Sequence, residues 1–133
     1  MTYDDAGWHS DTAADLGLGE EASATHIGMF FAWLAVHRQT APGYTDTAAL
    51  LARTITPGAF VIERCDGQID PSMLTDRGQD FTAAIYEAYM EAYEPIAASL
   101  GDGESYAAPD GWGTYDAVAP LIDELHARWS AGS

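Results

Sequence analysis

The chain has 133 residues, 47% of them hydrophobic, enough for one domain whose core needs no disulfide or metal staple. Its charge is extreme: 21 acids stand against five arginines and no lysine, a formal net charge of −16. A molecule of this kind is repelled by nucleic acid and by anionic membranes, and attracts basic proteins and cations.

In chain order, residues 1–19 show no sustained period of either kind. They predict an ordered arm, pinned by its aromatic side chains, ahead of a helical core over residues 20–133. The first long helix is expected over about residues 23–39. Ile27, Phe30, Phe31 and Leu34 make one broad apolar face, with His26, Trp33 and His37 along its border. Gly28, Ala32 and Ala35 form its back, small enough for a second backbone to lie close. A helix apolar on most sides is central and buried. Ala41-Pro42-Gly43 marks its end.

Thr45 or Thr47 opens a short helix ending near Arg53. Thr56-Pro57 opens another, with a capping side chain followed by Pro at the first helical position. The Phe60-Val61-Ile62 run inside it also reads as a strand. Asp66-Gly67 is a turn, and Asp70-Pro71 starts a helical turn through Leu74. Thr75 caps a long helix over 76–94, its inner face Phe81, Ile85, Ala88, Tyr89, Ala92 and Tyr93, which Pro95 ends or kinks. Residues 101–114, with four glycines and a proline, predict a surface loop. A last helix is expected from Tyr115 to Ser130, with Pro120 at its first turn or at a kink. The fold class is all-α: a single compact domain of five to six helices around a buried central helix.

The charge is uneven. Residues 1–23 hold six acids and no base, and residues 66–133 hold thirteen acids against Arg77 and Arg128. Asp76, Asp80, Glu87, Glu91 and Glu94 share a stripe about 60° wide on the helix after Thr75. Like charges four residues apart work against an isolated helix, as do acids at its C-terminal end. The stripe is a solvated face, a docking surface for a basic partner, with Tyr86 and Met90 beside it as apolar anchors, or a cation site.

Metal ligation finds little support. His26 and His37 lie about 16 Å apart along one helix. Asp123-x-x-His126 is a single pair where a di-metal bundle needs two. Paired cysteines and His-Glu-x-x-His are absent from the sequence, so neither a metal nor a cofactor is expected. The lone Cys65 offers no intramolecular disulfide. Asp4 and Asp5, beside Trp8 and His9, would orient an imidazole for acid–base work or anchor the arm to a helix N-terminus; the anchor ranks first. With His26 and Trp33 they make a candidate pocket.

Two stretches, Tyr3-Asp4-Asp5-Ala6-Gly7-Trp8-His9 and Ala24-Thr25-His26-Ile27-Gly28-Met29-Phe30-Phe31-Ala32-Trp33-Leu34, resemble an uncharacterised family of small, acidic bacterial cytoplasmic proteins. The resemblance implies a bacterial, cytosolic, globular protein and carries over no catalytic residue. The acidic start of the chain has no signal-peptide character, and no run is long enough to span a membrane.

Three functions are therefore open. The first is a non-enzymatic acidic binding protein that neutralises or regulates a basic partner, such as an immunity protein or antitoxin facing a toxin. The second is a small enzyme or a metal- or ligand-binding domain using Asp5, His9 and His26. The third is a DNA mimic.

Overall fold

A computed structural model describes residues 2–132. Among them run six α-helices: α1 (Ser10–Asp15), α2 (Thr25–Val36), α3 (Ala48–Leu51), α4 (Pro57–Arg64), α5 (Asp76–Leu100) and α6 (Trp112–Ala131). Two short strands, β1 (Asp4–Asp5) and β2 (Gln68–Ile69), pair antiparallel with Asp4 opposite Ile69.

The organising element is α2. Every residue from Thr25 to Ala35 is buried, as an all-round apolar sequence requires. On one side Phe31 stacks on Phe60 of α4, with ring centroids 5.8 Å apart. On the other, Phe30 meets Phe81 and Tyr89 of α5. The approach of α4 is set by Gly28, where an added Cβ would stand 2.5 Å from the carbonyl carbon of Pro57 and 2.6 Å from the nitrogen of Gly58. The small back of the helix is thus the seat of a neighbouring backbone.

α2 stops at Val36, earlier than Ala41-Pro42-Gly43 suggests. Arg38 turns left-handed at φ 59°, and the Gln39 and Arg38 amides donate back to Leu34 and Ala35 in a Schellman closure. The usual glycine signal is missing there, so the sequence points too far along.

The start of α4 is where Thr56-Pro57 places it, and the Phe-Val-Ile run is helical. The cap itself comes from elsewhere. Asp110 accepts from the Gly58 and Ala59 amides at 2.7 and 3.1 Å, and the Thr56 hydroxyl donates to the same carboxylate at 2.6 Å. A carboxylate suits a helix N-terminus better than a hydroxyl because it carries full charge. Thr75 does cap α5, accepting from the Gly78 amide at 3.0 Å.

Both internal prolines are passed over. α5 runs through Pro95 and α6 through Pro120. Each proline is exposed, so water can satisfy the carbonyl one turn earlier, while buried Tyr93, Ala97, Val118 and Ile122 keep the helices against the core.

The arm is more regular than its sequence shows. The Tyr3 and Ala6 amides donate to the carbonyls of Ile69 and Gly67 at 2.8 and 2.6 Å. Of its aromatics, Tyr3 packs against the core and its hydroxyl donates to the Gln79 carbonyl at 3.3 Å, whereas Trp8 is 63% exposed, and the deepest pin is polar. No described helix is long and apolar enough to cross a membrane.

Candidate functional site

The pin is Asp4. Strand alternation turns it inward and its neighbour Asp5 outward, where Asp5 accepts from the Gly7 amide and caps a single turn over Ala6–Trp8. Asp4 is 3% exposed. Its Oδ1 accepts from His9 Nε2 at 2.7 Å and from the Asp5 amide at 2.8 Å. Its Oδ2 accepts from His26 Nε2 at 2.8 Å and from the Tyr86 hydroxyl at 2.7 Å. Four donors thus surround one carboxylate, and the two imidazoles meet edge to face at 4.5 Å.

Burial alone would raise the Asp4 carboxyl, but the hydrogen bonds from His26, His9 and Tyr86 outweigh it and hold it well below the usual carboxylate range. Asp4 is therefore ionised and can only accept. Both imidazoles must then carry their proton on Nε2. The Nδ1 of His9 is hydrogen-bonded to the Tyr106 hydroxyl, 2.7 Å away. Burial pushes His26 down, against the pull of Asp4, so its ring stays neutral with a lone pair on Nδ1.

That lone pair has no partner among the described residues. The one enclosed side-chain polar atom lacking a hydrogen bond among them is Thr82 Oγ1, so His26 Nδ1 opens onto space. The space is a cavity of about 310 Å3 lined by His26, Met90, Tyr93, Glu94, Ser105 and Tyr106. Two of these come from the turn Ser105–Ala107, inside the stretch that its glycines mark as plain surface loop.

Asp4, His9 and His26 offer three ligand atoms within 4.8 Å of one another, a two-histidine, one-carboxylate set. Metal binding would require both Nε2 protons to leave and the four-donor shell of Asp4 to open. As folded, the set is a closed proton network.

Of the candidate pocket residues, Asp4, His9 and His26 come together. Asp5 points away, Trp8 is exposed, and Trp33 lies two turns along α2, where its indole donates to Asp123 at 2.8 Å and stacks on His37. The stripe residues Asp76, Asp80, Glu87, Glu91 and Glu94 are all exposed, and none forms an ion pair with a described residue. The nearest arginine, Arg77, sits over the Trp129 ring instead. Met90 is half-buried at the cavity. Tyr86 is 8% exposed and faces the core, so it offers a partner almost no surface. Sequence reasoning missed Tyr86 and Tyr106 as parts of the site. An aromatic next to a charged stripe reads equally well as surface or core, and Tyr106 stands in a segment without periodicity.

No curated protein and no solved structure shows a significant match to the chain. A family profile described as a domain of unknown function, DUF7832, matches residues 2–107. That span takes in every member of the Asp4 network and the whole lining of the cavity, and the chain belongs to this family.

Proposed function

We propose that this chain is a small ligand-binding domain whose site is the cavity over His26. The observation that carries the reading is the free Nδ1 on a side chain only 4% exposed, held in one tautomer by Asp4 and opening onto a cavity. Because Nδ1 opens onto the cavity, a ligand N–H or O–H can reach it and complete the hydrogen bonding of a ring whose Nε2 is already committed to Asp4. The cavity stands at the small end of ligand sites, which run from about 300 to 1,000 Å3. The fixed Asp4–His26 pair also has the form of an acid–base dyad, so proton transfer to or from a bound molecule is within its chemistry.

The test is a thermal-shift screen of small polar compounds, with Tyr106→Phe as the comparison chain. Compounds that raise the melting temperature of the parent and lose that effect in the variant support the reading. Equal shifts in both chains, or stoichiometric uptake of Zn2+ that moves the His9 and His26 ring resonances together, would replace it.

A second reading rests on a separate observation: the five exposed, unpaired carboxylates of α5. They suit a basic protein partner in the bacterial cytosol, as an immunity protein or antitoxin would meet, with charge setting the association rate and orientation. The DNA-mimic reading shares this surface. Glu87→Lys with Glu91→Lys is expected to slow capture of such a partner by about tenfold or more at low salt, with melting unchanged. Unaltered association would remove the stripe from any interface.

A further inference from the structure

Resting on the cavity reading, we infer that the ligand is a small primary ammonium ion, an alkyl amine carried as its protonated form. The polar atoms fixed around the cavity are acceptors. His26 Nδ1 presents a lone pair because its proton is committed to Asp4 through Nε2. The Tyr106 hydroxyl is engaged with His9 Nδ1 at 2.7 Å, and in the tautomer of His9 that carries its one proton on Nε2 the Tyr106 oxygen presents its lone pairs. Glu94 adds a carboxylate from the end of the α5 stripe. The hydroxyls of Tyr93 and Ser105 turn either way.

No arginine lines the cavity, and the one imidazole there stays neutral. An anion would meet lone pairs and a carboxylate with nothing to balance it. An ammonium group finds the reverse: three N–H donors for the His26, Tyr106 and Glu94 acceptors, and a counter-charge in Glu94. The rings of Tyr93 and Tyr106, with centroids 6.1 and 6.5 Å from that of His26, add aromatic faces that favour a cation. Met90 supplies the apolar wall for the alkyl part. The net charge of −16 raises the concentration of any cation near the mouth.

The experiment is calorimetric titration of the full chain with n-butylammonium, tetramethylammonium, butyrate and n-butanol, followed in parallel by the amide resonances of Ser105 and Tyr106. n-Butylammonium is expected to bind and shift those resonances, at least about tenfold tighter than tetramethylammonium, which keeps the charge but has no N–H. Glu94→Gln, on an exposed position that leaves the fold alone, is expected to weaken n-butylammonium severalfold. Tyr106→Phe is expected to weaken it as well. Equal affinity for both cations, or no effect of Glu94→Gln, overturns the assignment. Butyrate or butanol binding that Tyr106→Phe abolishes overturns the ammonium class while the cavity reading stands. If none of the four probes moves Ser105 or Tyr106, the ammonium assignment falls, and the cavity reading is decided by the wider compound screen.

Discussion

Asp4→Asn is expected to lower stability by about 3 kcal/mol, because it leaves buried donors facing an amide that is itself a donor. The Asp4 oxygens accept from His9, His26, Tyr86 and the Asp5 backbone. An asparagine keeps one oxygen and turns an NH2 toward a pair of donors. Two of those partners, His26 and Tyr86, are less than a tenth exposed, so water cannot make up the loss. The adjacent Asp5→Asn is the matched comparison. It touches only a cap on the Gly7 amide and is expected to cost under about 1 kcal/mol. Urea unfolding of the two variants beside the parent reads the difference directly; equal losses would show that Asp4 is not the hub.

The same network sets the acid limb of the stability curve. His26 has its folded pKa below the unfolded value of 6.5, so the unfolded chain takes up a proton first as pH falls. Stability therefore begins to drop near pH 6.5 and continues toward the lower folded value, with a slope of at most about 1.4 kcal/mol per pH unit for the one proton. Asp4 adds a second loss at lower pH. Its folded pKa is depressed, so its contribution is present above the ordinary value of 3.8 and disappears as pH falls below it. Melting temperatures from pH 7.5 down to 2 check both limbs, the first between 7 and 5 and the second below 3.8. A His26→Gln chain should flatten the first and keep the second; a parent chain with constant stability from pH 7 to 5 would contradict the assignment.

Gly28→Ala is expected to cost about 3 kcal/mol or more, at the upper end for an added methyl, because the obstacle is backbone. The new Cβ would lie 2.5 Å from the Pro57 carbonyl carbon and 2.6 Å from both its oxygen and the Gly58 nitrogen. Neither α2 nor α4 can rotate the clash away, so the helices must separate, and the stacked Phe31 and Phe60 rings separate with them. The gain in helix propensity, about 1 kcal/mol, is far too small to compensate. Gly113→Ala isolates that gain. It lies in α6 with nothing within 4 Å of an added Cβ, and is expected to be neutral or slightly stabilising. Thermal unfolding of the pair separates propensity from packing, and a tolerated alanine at 28 would mean that the two backbones are not in contact.

Much of the architecture follows from local pattern. The all-round apolar run from Thr25 to Ala35 could only be a buried helix, and its small residues marked where another chain segment lies close. Thr75, Thr56-Pro57 and Asp70-Pro71 each marked a start correctly, because a helix N-terminus needs an acceptor or a missing N–H within a few residues. The five carboxylates of α5 fell on one exposed face for the same reason, the fixed 100° step of the helix.

The site was settled by contacts that the sequence does not encode nearby. Asp4 reaches Tyr86 across 82 residues, and His9 reaches Tyr106 across 97. Asp110, which caps α4, stands 52 residues from Gly58, so a helix start legible at Thr56 takes its acceptor from a distant loop. Pro95 reads locally as an end or a kink and Pro120 as a first turn or a kink, and the packing of α5 and α6 on the core carries the helices through them. The sharpest case is the Asp4-Asp5 pair. Two identical side chains are neighbours in sequence, and a strand must send one in and the other out, but only its register against Gln68–Ile69 decides which. Sequence by itself determined that helices would form around α2. Tertiary structure decided which carboxylate is buried between two imidazoles and which imidazole nitrogen is left open to a ligand, because both depend on pairing between segments far apart in the chain.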